Sequence, residues 1–346
     1  MAGEGIESAL DISELSILGI VDAVRAWPRV RRLAQEAAED AARRSPAAAV
    51  LIDSWGFNLR VAWALRKRAP KARLIKYIGP QVWATRPGRA WTLASAVDLL
   101  LTIHSFDAPL FEEAGLRTIF TGNPALHRGA EGGDGAAFRA RHGVGAEEPL
   151  LLLLFGSRPK EVERLWEPFM GAARRLQARF PGLRLATPVA ASVDAQVRAR
   201  AANEPDLLLI PEDERADAYA ACDAAIACSG TATSELALAG APTVVGYRAD
   251  GLSYALIQLL LQTPYISLVN IEAGEELMPE FLQRSCAPEP LAEAAGRYLA
   301  DPAEAADISA RLRAAAQALK GEMESPAAEA ARAILTEIGV PLRTAG

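Results

Sequence analysis

Residues 223–248 read DAAIACSGTATSELALAGAPTVVGYR. An apolar run from Ala224 to Ala227 stops at Ser229-Gly230-Thr231, a helical pattern follows through Leu238, Gly240 ends it, and Thr243 to Val245 open a β-branched run. The spacing predicts a strand, a tight turn, a helix and a second strand. Small residues at such a turn let a phosphate approach the backbone, and the unpaired N–H groups of the helix's first turn aim at it with the positive end of the dipole. Ser229, Gly230 and Thr231 are therefore candidates for a phosphate cradle. Glu235 falls about one turn inside the helix, where its carboxylate can accept hydrogen bonds from a ribose diol, and the spacing suits a nucleoside diphosphate. The alternative is that Ser229 or Thr231 only caps the helix and Glu235 complements its dipole.

The rest of the chain bears on that choice. Its 346 residues are too many for one small core and suit two domains, and 51% hydrophobic with 23% charged residues describes a globular protein. No run of about 18 apolar residues occurs and the start MAGEGIESAL has no signal-peptide core, so a cytoplasmic location is expected. A net charge of −6 argues against a nucleic-acid partner. Cys222, Cys228 and Cys286 form no C-x-x-C, which disfavours a disulfide framework or structural zinc; Cys228, at a strand end, is expected in the core. No metal is expected, because His104, His127 and His142 are scattered and H-E-x-x-H and D-x-D are missing; Glu212-Asp213-Glu214 reads as a solvated loop. The dinucleotide G-x-G-x-x-G, the P-loop and the G-x-S-x-G elbow are missing as well, and no cofactor is implied.

Apolar runs at Ala47–Ile52, Leu74–Ile78, Leu99–Ile103 and Thr118–Phe120 alternate with helical patterns, one of which turns Leu59, Ala62, Trp63 and Leu65 inward. A second set follows at Leu150–Phe155, Leu183–Thr187, Leu207–Ile210, Ala224–Ala227 and Thr243–Val245. Between them, Gly129 to Gly145 contains six glycines and reads as a linker. The fold class is α/β, two Rossmann-like doubly wound parallel-sheet domains facing a cleft. In such sheets ligands gather at the carboxyl ends of strands, which singles out Asp53 after the first run and Gly156-Ser157-Arg158 after Leu150–Phe155. Near the start, Val21 to Arg44 has Val24, Trp27, Val30 and Leu33 at helical spacing beside Arg25, Arg29, Arg31 and Arg32, with Pro28 expected to kink or divide the helix. Such a helix can rest on an anionic membrane surface or simply carry a solvated arginine face; the membrane-facing candidates are Arg25, Trp27, Arg29 and Arg32. Further on, Gly251 to Thr263 reads as an apolar helix, Asn270 begins a loop, Glu280 and Gln283 lie on a helix, and Ala-rich helices follow Pro288.

Seven stretches in order, ISELSILGIV (12–21), IDSWGFNLR (52–60), YIGPQVWATRPGR (77–89), FTGNP (120–124), FGSRPKEV (155–162), SGTATSELALAGAPTVVGYR (229–248) and SLVNIEAGEELMPEFLQ (267–283), resemble the lipid-A-disaccharide synthase family. These are inverting, metal-independent glycosyltransferases of the GT-B type. The resemblance implies transfer of 2,3-diacylglucosamine from its UDP derivative to 2,3-diacylglucosamine 1-phosphate, giving the β-1,6 disaccharide and UDP at the inner face of the inner membrane, and it leaves room for a homodimer. It implies Asp53 as general base, Arg158, Ser229, Gly230, Thr231, Glu235 and Asn270 at UDP, and Asn58, Trp83, Arg86, Asn123 and Glu276 around the acceptor. The chain departs from the family pattern at Gly56, Asn123, Phe155 and Glu275. A relative acting on another acceptor, or a UDP-sugar or lipid-binding protein without turnover, is consistent with the same residues.

The expected domains are 1–145, facing acceptor and membrane, 146–320, holding the UDP-sugar, and a helical tail, 321–346, returning to the first domain. The family's opening strand and G-E-x-S-G-D turn have no counterpart ahead of residue 11. The first sheet is therefore expected to lack a central strand, leaving the strands from Ala47 and Leu99 across a gap or with bare edges, and the chain to be poorly folded or inactive without upstream sequence.

Overall fold

A computed structural model of the chain describes residues 20–128, 132–249 and 263–341 together with Gly5. The apolar helix expected over 251–263 lies outside the described residues except for its last position. Contacts divide the chain into two units, Met1–Gly122 with Ser325–Gly346, and Asn123–Glu324.

The first unit runs α1 (Ile20–Arg43), β1 (Ala48–Ile52), α2 (Trp55–Arg68), β2 (Arg73–Tyr77), α3 (Arg89–Ala94), β3 (Leu99–Thr102), α4 (Ala108–Glu113) and β4 (Thr118–Phe120). Its strands are parallel in the order β1-β2-β3-β4. Successive strand residues point to opposite faces, so Leu74 and Leu100 join Ala38, Leu59, Leu65 and Phe111 on one side, while Ile75, Leu99 and Leu101 meet Ala330 and Ala333 on the other. The latter pair lies on the helix Pro326–Glu337, which Glu337 ties to Arg117 at 2.9 Å and Arg73 at 3.5 Å.

Three expectations change here. Pro28 lies inside α1 without dividing it. Trp63 is 44% exposed, since α2 turns Leu59, Ala62 and Leu65 inward and the residue after Ala62 is rotated off that face. The strands from Ala48 and Leu99 do not face a gap: β2 lies between them and pairs with both, and β1 is an edge of the sheet among the described residues, where Val50 and Ile52 are 37% and 48% exposed.

The second unit contains α5 (Pro124–His127), α6 (Gly135–His142), β5 (Leu150–Leu154), α7 (Pro159–Arg179), β6 (Arg184–Pro188), α8 (Asp194–Ala201), β7 (Leu207–Ile210), α9 (Arg215–Ala221), β8 (Ala224–Cys228), α10 (Thr231–Ala239), β9 (Thr243–Tyr247) and β10 (Glu280–Leu282), then helices Pro288–Ala300 and Pro302–Lys320. Its parallel sheet has the order β10-β9-β8-β5-β6-β7. Chain order runs outward from β5 through β6 to β7 and resumes on the other side at β8, so the strand order reverses between β5 and β8 while the strands stay parallel. All five leucines of β5 are buried, as a strand covered on both faces requires.

In the glycine-rich stretch, the described residues 132–145 pack within the second unit, and two glycines serve close approach: a Cβ on Gly133 would stand 2.1 Å from the Ala216 carbonyl oxygen, and one on Gly135 2.5 Å from that of Ala220. This lets α6 pack on α9, bury Phe138 and hold Arg139 2.7 Å from the Ala221 carbonyl, so the unit boundary falls at Gly122 instead of near 145. Glu280-Phe281-Leu282 is a strand beside β9, not a helix, and Asn270 lies within the helix Leu268–Ala273. Gly246 in β9 carries a packing constraint of the same kind, because an added Cβ would meet the buried Phe169 ring at 2.5 Å. Gly246→Ala is expected to destabilise the chain by about 1–3 kcal/mol, read as a lower denaturant midpoint at unchanged m-value.

Candidate nucleotide site and strained turn

The reversal between β5 and β8 sends their following segments apart, and a cavity of about 310 Å³ opens there. Gly156, Ser157 and Arg158 line one side, Ser229, Gly230 and Thr231 another, and Glu235 and Arg215 lie in its wall. Arg158, Ser229, Gly230, Thr231 and Glu235, all singled out from sequence, thus meet at one place.

The two turns differ electrostatically. Gly230 is the N-cap of α10 and offers no side-chain cap; the Thr233 N–H turns back to the Gly230 carbonyl at 3.2 Å, and the Thr231 and Ala232 N–H groups have no side-chain cap. The turn after β5 is already occupied: Glu161 accepts from the N–H groups of Ser157 (3.1 Å) and Arg158 (3.2 Å) and pairs with the Arg158 guanidinium at 2.8 Å. Gly156 has φ +100°, and a Cβ there would lie 2.5 Å from a Glu161 oxygen, so this turn requires glycine twice over. Arg158 is 78% exposed and can swing toward a diphosphate.

Glu235 is buried, and burial raises its carboxyl above the ordinary range while Arg215, 3.3 Å away, pulls it back. The Tyr219 hydroxyl beside it is buried without a hydrogen-bond partner among the described residues. Arg215, Glu161 and Tyr219 were not predicted. Position was the available signal for Arg215, since it follows β7 at the carboxyl edge of the same sheet. Glu212-Asp213-Glu214 is not merely a solvated loop: Glu212 lines the cavity and accepts from the Ala191 N–H at 3.0 Å, and Glu214 holds His142 at 2.7 Å. Cys228 is buried as expected and lines the cavity; burial pushes its thiol up, keeping it neutral.

Asn270 is not brought here. Fully buried, its amide donates to the Met278 carbonyl and the Glu280 carboxylate, both at 2.8 Å, and accepts from the Met278 N–H at 2.9 Å, which commits it to bracing the turn before β10. Glu276 is exposed near that turn, and Asn123 caps α5 by accepting from the Ala125 N–H at 3.1 Å. Neither lines the cavity.

In the first unit, left-handed backbone follows β1 directly at Asp53 (φ 49°) and Ser54 (φ 41°) and β2 at Ile78 (φ 67°), and occurs again at Arg86 (φ 56°) and, ahead of β1, at Ser45 (φ 47°). Such positions cost roughly 1–3 kcal/mol each and concentrate where function demands them. The Asp53 side chain is exposed, while Asn58 is buried with its amide on the carbonyls of Ile52 and Asp53, both at 2.7 Å. Trp83 stands edge-on to Phe106 and His104, and its buried indole nitrogen has no partner among the described residues. His104 contacts the buried Asp107 at 3.3 Å, a pair that no sequence spacing had marked. Among the described residues no group of three or more His, Cys, Asp or Glu stands where it could hold a metal ion.

Of the membrane-facing candidates, Trp27 is 49% exposed under the Arg60 guanidinium, 3.8 Å from its ring centroid. Arg29 is half-buried, Arg32 pairs with Glu36 at 3.2 Å, and the side chain of Arg25 lies outside the described set. Trp27, Arg31, Arg60, Trp63 and Lys67 line a shallow groove between α1 and α2. Burial and the nearby Arg31 lower the Arg60 pKa. No helix among the described residues is long and apolar enough to cross a membrane.

A family model described as Lipid-A-disaccharide synthetase matches residues 1–335. A lipid-A-disaccharide synthase of Paramagnetospirillum magneticum is 39% identical over 339 residues, covering 97% of this chain and 87% of the relative. One of Rhodospirillum centenum is 37% identical over 305 residues, covering 87% and 76%. Among solved structures, a UDP-GlcNAc 2-epimerase from Neisseria meningitidis bound to UDP-GlcNAc aligns with TM-score 0.57 at 9% identity over 89% of this chain and 82% of that one. The S. aureus MnaA–UDP co-structure aligns with TM-score 0.58 at 11% identity over 95% and 84%. At such identities the likeness carries the fold alone, that of the GT-B glycosyltransferases and epimerases.

Proposed function

This chain belongs to the lipid-A-disaccharide synthase family, and from that premise we propose that the β5/β8 cavity holds the UDP of the donor while Asp53 activates the acceptor. The family's reaction joins 2,3-diacylglucosamine, delivered as its UDP derivative, to 2,3-diacylglucosamine 1-phosphate. The observation carrying the reading is the convergence of the open α10 N-terminus, Arg158 and the buried Glu235 on one cavity. The diphosphate lies on the Gly230–Thr231 N–H groups with Arg158 swung away from Glu161 to meet it, and the ribose hydroxyls donate to Glu235. Asp53 takes the proton from the acceptor 6-hydroxyl as that oxygen bonds to the donor's anomeric carbon. The bond from that carbon to the diphosphate breaks and UDP leaves with the electron pair, its charge met by Arg158 and the helix. Incubating the purified chain with both acylated substrates tests this: disaccharide and UDP in equal amounts are expected, and UDP release without disaccharide would contradict it.

The exposed Trp27 and Trp63 with Arg31, Arg60 and Lys67 support an anionic lipid surface as the partner of the α1–α2 face, the indoles entering the headgroup layer and the cations meeting phosphates. Replacing both tryptophans with alanine is expected to weaken sedimentation with phosphatidylglycerol vesicles by about tenfold or more. Equal sedimentation of wild type and the double variant would place membrane contact elsewhere.

A further inference from the structure

Lys76 is the cation in the middle of the first sheet. It lies on β2, 2% exposed, where Leu74 and Ile75 beside it are fully buried. A central strand ordinarily places an apolar side chain there, because an ammonium removed from water is costly unless its donors are used. Its donors are used on the carboxyl ends of β1 and β2. The ammonium donates to the carbonyls of Leu51 (3.2 Å), Asp53 and Tyr77 (3.4 Å). Asn58 donates to the Asp53 carbonyl from the other side, and the Asp53 N–H donates to the Tyr77 carbonyl at 2.9 Å. The peptide that begins the left-handed Asp53–Ser54 pair is therefore fixed by two side chains, neither belonging to the turn. The acidic group felt at Lys76 is Asp53 itself.

We propose that Lys76 is a positioning residue for Asp53 in the transfer reaction: its buried ammonium holds the left-handed turn that presents the carboxylate and supplies the positive charge beneath it. This rests on Asp53 being the general base. Asn58 shares the mechanical part of the work, but Lys76 alone adds charge, and charge gives it a signature in pH. Burial lowers the Lys76 pKa to about 8, with Asp53 opposing that shift. Lys76 is thus protonated at neutral pH and loses its proton within the range where turnover can be followed. Deprotonation of Lys76 removes the charge around which the turn is held and lowers turnover on the alkaline side.

The test compares kcat and KM over pH 5 to 10 for wild type, Lys76→Met, Lys76→Arg and Asp53→Ala, with UDP titration and thermal melting of each. Lys76→Met is expected to keep its affinity for UDP, to lose roughly tenfold or more in kcat with little change in KM, and to lose the alkaline limb. Wild type is expected to show an alkaline limb near the Lys76 value of about 8, and Lys76→Arg, which keeps its charge, to recover most of kcat with that limb displaced upward. A reduced kcat in Lys76→Met with the alkaline limb unmoved would make Lys76 merely structural and overturn the proposal. Should Lys76→Met fail to fold, the same alkaline limb in wild type and Lys76→Arg would overturn it equally. Near-normal turnover in Asp53→Ala would instead remove the reading beneath it, so the two failures are told apart.

Discussion

Asp53→Ala is expected to lower kcat by about two orders of magnitude or more while leaving UDP affinity and thermal midpoint close to wild type, a loss on the scale that a positioned general base contributes. No described residue hydrogen-bonds to the Asp53 carboxylate and the side chain is exposed, so its removal breaks no packing. The turn's restraints also survive, because Lys76 and Asn58 hold the backbone carbonyl of Asp53 and not its side chain. Alanine relinquishes some of the aspartate's tolerance for φ 49°, a penalty of at most about a kilocalorie per mole that the melt would register separately. Asp53→Asn separates basicity from shape: it keeps the size and the turn preference, and should be as inactive as alanine. Substantial turnover in the asparagine variant would assign the proton transfer to another group.

Glu235→Ala is expected to weaken UDP binding by roughly 10- to 150-fold, equivalent to losing a charged hydrogen bond of about 1.5–3 kcal/mol. The wild-type affinity should also depend on pH in a way the variant does not. Only the ionised carboxylate accepts from both ribose hydroxyls, and burial raises the Glu235 pKa, so affinity declines as pH falls through a value above that of an exposed glutamate. Arg215 moderates the shift without removing its cause. Isothermal titration with UDP at several pH values reads both effects, and an affinity that is flat with pH in wild type would take Glu235 out of the ribose contact. Arg158→Ala should cost less, because its guanidinium is mostly solvated and already shared with Glu161.

Much of this was legible in the order of residues because parallel strands buried on both faces leave uninterrupted apolar runs, and Leu150–Leu154 or Ala224–Cys228 admit few other readings. The turn at Ser229-Gly230-Thr231 was legible for the same reason: small residues between a strand and a helix have a local consequence. What failed depended on partners distant in sequence. Glycines at 133 and 135 look like a flexible tether until α9 is placed against them. Asn270 matched a binding motif, but Met278 and Glu280 use all of its polar atoms. Arg215 lay hidden in an acidic stretch whose only clue was its place after β7. Lys76 carried no signal at all, since one lysine in an apolar run resembles an edge residue until β1 and β3 are seen on either side of it.

The most direct measurement is a crystal structure of the intact chain with UDP bound. The expected result is a diphosphate within hydrogen-bond distance of the Gly230 and Thr231 N–H groups, Arg158 turned from Glu161 toward it, and both ribose hydroxyls on Glu235. UDP bound away from the β5/β8 cavity, or with its ribose remote from Glu235, would contradict the account.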